Sequence, residues 1–239
     1  MAKEAIEEWN GTTPTDAQIW SSLRDKTLSR QTRSFLWKAM HGAYKIGAYW
    51  RNLPNHERWA DCPLCETEES LQHVFTECRA SGQMTIWQEV EHVWSLKKLG
   101  WRRPTLGTVL GIPLIKVIST KGRTLKGPTR LLRILLAEAT QLIWRLRCEW
   151  KITNLGDPAK VKTDNEVRRL WRNHMNSRLM QDMLLTNEAK YRKKALHPSL
   201  VEATWWDVLH DKQALGDDWI RNRNGVLVGT GRRPPGRNR

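Results

Sequence analysis

Thr129-Arg-Leu-Leu-Arg-Ile-Leu-Leu-Ala-Glu-Ala-Thr-Gln-Leu-Ile-Trp-Arg-Leu-Arg-Cys-Glu-Trp-Lys-Ile-Thr153 is the stretch that decides the fold class. At ~100° per residue, Leu131, Leu135, Leu136, Ala139, Leu142, Ile143, Leu146 and Trp150 fall on one broad arc. Arg130, Arg133, Gln141, Arg145 and Lys151 fall on the other. A wide apolar arc of this kind predicts an amphipathic helix over 129–153 with a large buried face, central to the protein. Cys148 lies on its polar side, where a half-exposed thiol is the expectation.

Outward from that helix, the prolines punctuate rather than interrupt, with Pro14, Pro54, Pro63, Pro104, Pro113, Pro128, Pro158 and Pro198 between helix-like stretches. Thr15/Gln18, Thr163/Glu166 and Ser199/Glu202 have the spacing of a capping box, in which a hydroxyl and a longer side chain satisfy each other's backbone N–H groups. Helices are expected over 15–26, 29–44, 70–77, 82–99, 129–153, 163–186 and 199–211. The one plausible β segment is 108–119, with Val109, Ile112, Ile115, Val117 and Ile118. The fold class is therefore mainly α, with little or no β. The expected organisation is an arm over 1–14, a helical region over 15–100, a basic loop region over 101–128 and a helical region over 129–228. An Arg-rich tail over 229–239 is expected to be disordered, because it lacks apolar anchors.

Cys62-Pro-Leu-Cys65, His73 and Cys78 have the spacing Cys-x2-Cys-x7-His-x4-Cys. Two cysteines two residues apart let a tight turn aim both thiolates at one ion, and four protein ligands close a tetrahedral structural zinc site. The expectation is a Cys3His zinc knuckle over 62–78. His73 and Cys78 are five apart, ~140° on a regular helix, so a helix carrying both must end or unwind before Cys78. Between Glu57 and Cys78 stand Glu57, Asp61, Glu66, Glu68, Glu69 and Glu77 against Arg58 alone. That balance repels phosphate and makes the knuckle a structural clamp, and a possible protein contact.

Phosphate binding is expected elsewhere. The chain has 40 Lys and Arg against 25 Asp and Glu, a net charge of +15, and the excess is clustered. Between His92 and Ala137 stand Lys97, Lys98, Arg102, Arg103, Lys116, Lys121, Arg123, Lys126, Arg130 and Arg133, with no carboxylate among them. Such a stretch can neutralise several phosphates of RNA or DNA. Trp101, beside Arg102, is the tryptophan expected to stack on a base; most of the 14 tryptophans are expected in the core. Lys190-Tyr-Arg-Lys-Lys194 could extend the basic track or serve as a nuclear import signal. Phosphate-binding glycine loops, zinc-protease motifs and nucleophile elbows are all missing, so no catalytic residue is expected. The opening residues have no secretory apolar run, and the 131–144 stretch is broken by Arg133 and Glu138. The expectation is a soluble intracellular protein, nuclear rather than cytoplasmic, without membrane contact.

Ile19-Trp20, Arg33-Ser-Phe-Leu-Trp37, Cys62-Pro-Leu-Cys65 and Glu69-Ser-Leu-Gln-His73-Val-Phe-Thr-Glu-Cys78 resemble the reverse-transcriptase zinc-binding domain of non-LTR (LINE-type) retrotransposon polyproteins. The resemblance covers roughly 19–80. The 131–149 segment looks similar to the helix downstream of that domain in fungal elements. The resemblance implies Cys62, Cys65, His73 and Cys78 as zinc ligands, and a role in handling element RNA or target DNA. The carboxylates of the polymerase and ribonuclease H regions are missing. The expected function is a non-catalytic, zinc-stabilised nucleic-acid-binding module. The alternatives are a protein-interaction module using the knuckle and exposed tryptophans, or a degenerate transposon remnant.

Overall fold

The computed structural model describes residues 1–227, so the tail expected over 229–239 lies outside the described residues. In chain order the helices are α1 (Ala2–Asn10), α2 (Asp16–Ser22), α3 (Arg30–Met40) and α4 (Ala48–Arg51). A two-stranded antiparallel ribbon follows, β1 (Asp61–Cys62) with β2 (Thr67–Glu68). Next come α5 (Gln83–Ser95), α6 (Leu106–Gly111), α7 (Lys126–Cys148), α8 (Asp164–Leu184), α9 (Glu188–Tyr191), α10 (Pro198–Trp205) and α11 (Trp219–Asn222). The described chain is 62% helical, in agreement with the fold class read from sequence. Among the described residues no helix is long and apolar enough to cross a membrane.

The long helix expected over 129–153 is α7, extended by a π turn over Glu149–Thr153. It is buried almost all round, not along one stripe: Leu132, Ile134 and Ala137 are as inaccessible as Leu131 and Leu135. Arg130 and Lys151, placed by the wheel on the solvent side, are buried too. Buried cations survive where a carboxylate and further hydrogen bonds offset the lost water. Asp182 of α8 binds Arg130 through two hydrogen bonds of 2.6 and 2.9 Å, and Trp205 Nε1 donates to the same carboxylate at 2.8 Å. Helices α3, α5, α8 and α10 pack around α7, and one apolar cluster runs from Ile6 to Leu227. At Gly127 the backbone carbonyl of Ala203 comes so close that any Cβ would collide with it, and α10 therefore seats on the first turn of α7.

Three local expectations are corrected. Residues 1–14 contain α1, whose Ala5 and Ile6 pack against Gly107 and Gly111 of α6; an added Cβ at Gly111 would lie 2.5 Å from Ile6 Cδ1. The 108–119 segment is helical over most of its length, as α6 and a 3₁₀ turn at Ile112–Leu114. Thr105 and Thr108 cap α6 reciprocally, so capping chemistry overrides the β-branched composition. Ile118 alone pairs as a strand residue, with Thr124. Hydrogen bonds of 2.8 Å from Leu125 N–H to Val117 O and from Ser119 N–H to Arg123 O close residues 117–125 into a hairpin-like loop. The expected basic loop region is thus a short helix followed by a closed loop. The boxes at Thr15 and Thr163 form. The one at Ser199 does not, because Pro198 opens α10 and His197 is its cap.

Candidate metal centre

The Cys62-Pro-Leu-Cys65 turn is folded by the β1–β2 ribbon. Glu66 N–H donates to Cys62 O at 2.8 Å, and Glu66 itself has φ +57°, which lets the chain reverse just after Cys65. Arg79 N–H donates to Cys65 Sγ at 3.4 Å, and its guanidinium donates to Leu64 O at 2.6 Å. The helix bearing His73 ends at Glu77, and its last turn, His73–Glu77, has π geometry. Cys78 N–H donates to His73 O at 2.7 Å, five residues back. Widening the turn is how two ligands in a His-x4-Cys spacing reach one point.

All four ligand atoms lie within 4.8 Å of one another, with Cys62, His73 and Cys78 buried and Cys65 half-buried. Cys62 Sγ and Cys78 Sγ are 3.9 Å apart; a tetrahedral centre with ~2.3 Å metal–sulfur bonds needs ~3.8 Å. The hydrogen bond from Cys78 holds the Cys62 thiol down to about 4 against the opposing effect of burial. The same bond, with burial, pushes Cys78 up. A bound cation would take the place of that proton. His73 supplies the test of fit. Its Nδ1 faces Thr67 Oγ1 at 3.3 Å and the Glu77 carboxylate at 3.7 Å, while Nε2 is buried without a hydrogen-bond partner. One ring nitrogen oriented by neighbours and the other bare is the arrangement of a metal-bound histidine. The four residues could hold a metal ion.

The support beneath this centre was missed by the sequence reading. Glu69 is fully buried, and Arg147 of α7 grips it through two hydrogen bonds of 2.8 and 2.6 Å. Burial disfavours the charged guanidinium, but the bonds to Glu69 raise the Arg147 pKa above its ordinary value. Lys151 Nζ lies 3.8 Å from the same carboxylate and donates to Asp61 O. Trp150 packs against Cys62 and Cys78, and Gly156 lies under Pro63. The knuckle is clamped onto the end of α7. A sequence signal existed: Arg147 shares the arc of Ile143 and Leu136, and a charge inside an apolar arc implies a buried partner. The acidic character expected of 57–78 is also reduced, since Glu69 is neutralised by Arg147 while Asp61 and Glu68 face Arg51 at 2.6 and 3.5 Å.

The ten basic residues of 97–133 do not form one uniform surface. Lys97 is turned inward to Asp207 at 2.9 Å and to Ala203 O at 3.1 Å. Arg130 is bound to Asp182; Arg133 binds Asp25 at 2.6 Å and Ile115 O at 2.9 Å. Arg102 donates to Glu8 O and covers the ring of Trp9. Arg103 reaches Gln83 at 3.4 Å. Lys98, Lys116, Lys121, Arg123 and Lys126 are exposed. Trp101 is half-buried against the core. The well-exposed tryptophans are Trp20 and Trp37, which flank His41 at 4.9 and 4.2 Å. No family model matches this chain, and neither the curated proteins nor the solved structures give a match, so the chemistry of the site is read from its own geometry.

Proposed function

We propose that the chain is a zinc-stabilised, non-catalytic module that binds nucleic acid, with the loop over 117–125 and its flanks as the main phosphate contact. The ion is zinc, because three thiolates and one imidazole in a closed, largely buried set suit that metal. One observation carries the binding surface. Lys116, Lys121, Arg123 and Lys126 sit on and beside a closed loop, all exposed, with no ion-pair partner among the described residues. A rigid loop presenting unpaired cations loses little entropy on meeting a phosphate backbone. On this reading the chain is a relative of the zinc-binding domain of non-LTR reverse transcriptases, acting in the nucleus.

Binding to single-stranded RNA, single-stranded DNA and duplex over a range of salt is the test. For a single strand contacting these four cations, the slope of log K against log salt is expected near about −3. Lys121→Glu with Arg123→Glu should flatten it by roughly 1.4. Salt-independent binding, or none near micromolar protein at low salt, would refute the proposal. The exposed Trp20–His41–Trp37 patch favours a second reading, a protein contact. Under that reading Trp37→Ala removes a partner and leaves nucleic-acid binding intact.

A further inference from the structure

A second surface lies at the other end of α7, against the metal centre. Lys45, Trp50, His56, Arg58, Trp59 and Ile152 line a cavity of about 450 Å³, within the ~300–1,000 Å³ of small-ligand sites. Trp50 stacks on His56 with ring centroids 6.0 Å apart and planes 21° from parallel, and meets Trp59 at 6.0 Å. Its indole is fixed, with Nε1 donating to Lys45 O at 2.8 Å. Trp59 leads directly into β1, so the clamp that orders the knuckle also orders this ring. Arg147 lies at the cavity and is already committed to Glu69. Lys45 and Arg58 are exposed, and no carboxylate among the described residues lines the cavity.

We infer that this groove holds an unpaired nucleobase of a single strand, stacked on Trp50 or Trp59, with the flanking phosphates on Lys45 and Arg58. The inference deepens the nucleic-acid reading above and rests on it. Aromatic faces alone would equally suit a quaternary ammonium group. Two cations at the rim, neither with a carboxylate partner among the described residues although Lys45 Nζ lies 5.4 Å over the Tyr49 ring, repel such a ligand and attract an anion carrying a flat ring. Two indoles already in contact leave no slot between them, so the base enters the cavity that both rings line. A base inside a duplex cannot do this, and the groove therefore selects single strands. Cavity and loop lie at opposite ends of α7, whose 23 residues span about 34 Å, so the groove is separate from the phosphate contact already proposed.

The full-length protein is mixed at low salt with a strand of roughly sixteen nucleotides, the long end of single-strand site sizes, carrying 5-iodouracil. After irradiation, cross-linked peptides are mapped by mass spectrometry. Cross-links at Trp50, His56 or Trp59 are expected. An abasic strand of equal length should bind about tenfold more weakly, the scale of stacking one base. Trp50→Ala should bring the normal strand to the abasic level, and Trp50→Phe should restore most of the loss. If Trp50→Ala does not fold, the cross-link map of the unaltered protein decides. Strand binding with cross-links confined to Trp101, Trp20, Trp37 or the 117–125 loop overturns the groove and leaves the nucleic-acid reading standing. No binding of any strand overturns both.

Discussion

Glu69 and Glu138 show how single carboxylates tie distant segments to α7. Glu69, inside an acidic run, reads as one more solvated charge, but the fold buries it under Arg147. Glu69→Ala leaves that guanidinium buried and unpaired, and should cost about 3–5 kcal/mol in denaturant unfolding. Glu69→Leu combined with Arg147→Met removes both charges and should cost far less. Glu138 accepts from His174 at 2.7 Å and from Arg178 at 2.8 Å. Burial works to raise its pKa, but these hydrogen bonds and the nearby positive charge win and hold it below the ordinary 4.5. Its contribution is therefore complete above that value and is lost as pH falls through the lower folded-state pKa. Glu138→Gln should flatten stability against pH in that acidic window, as read by thermal unfolding across a pH series.

Among the elements, α1 and α6 were hidden by local composition, and α7 was legible from it. The Leu-Leu-Ala-Glu-Ala core of α7 is rich in strong helix formers with an apolar period, so sequence alone gives the helix. The α1 segment has few apolar residues and needs the two close approaches at Gly107 and Gly111 to dock. Gly107→Val would push a Cβ against Met1 O and to 2.9 Å from Ala5 Cβ. It should undock α1 at a cost of about 1–3 kcal/mol. Hydrogen exchange should then show faster amides over residues 2–10, with α7 protection kept; an unchanged α1 would contradict this docking. The π turn at His73–Glu77 was legible only in part. The five-residue spacing required a departure from α geometry, and its form was set by the hydrogen bond from Cys78 to His73.

At the scale of the whole molecule, the metal centre is coupled to the fold through α7 and not confined to a detachable finger. Purified protein should carry about one equivalent of zinc, as the closed Cys3His set requires, and Cys62→Ser should lose most of it. Stripping the ion by a chelator should lower Tm and expose amides over 60–80 and 149–157 first, because Trp150 and Gly156 rest on the knuckle. Amides over 126–148 should hold longer; simultaneous loss everywhere would show that the knuckle and core unfold as one unit. By itself the sequence determined the helical class, the long central helix, the capping at Thr15 and Thr163, and the four residues that could hold a metal ion. Each of these depends on neighbours a few residues apart or on a short-range spacing. Only the tertiary structure decided which cations are free. Lys97, Arg130 and Arg133 belong to the same basic run as Lys121 and Arg123, yet their partners, Asp207, Asp182 and Asp25, come from remote parts of the chain. The aromatic groove at Trp50 and Trp59 was settled at the same level, because a cavity that also includes Ile152 exists only once the end of α7 has come to rest against the knuckle.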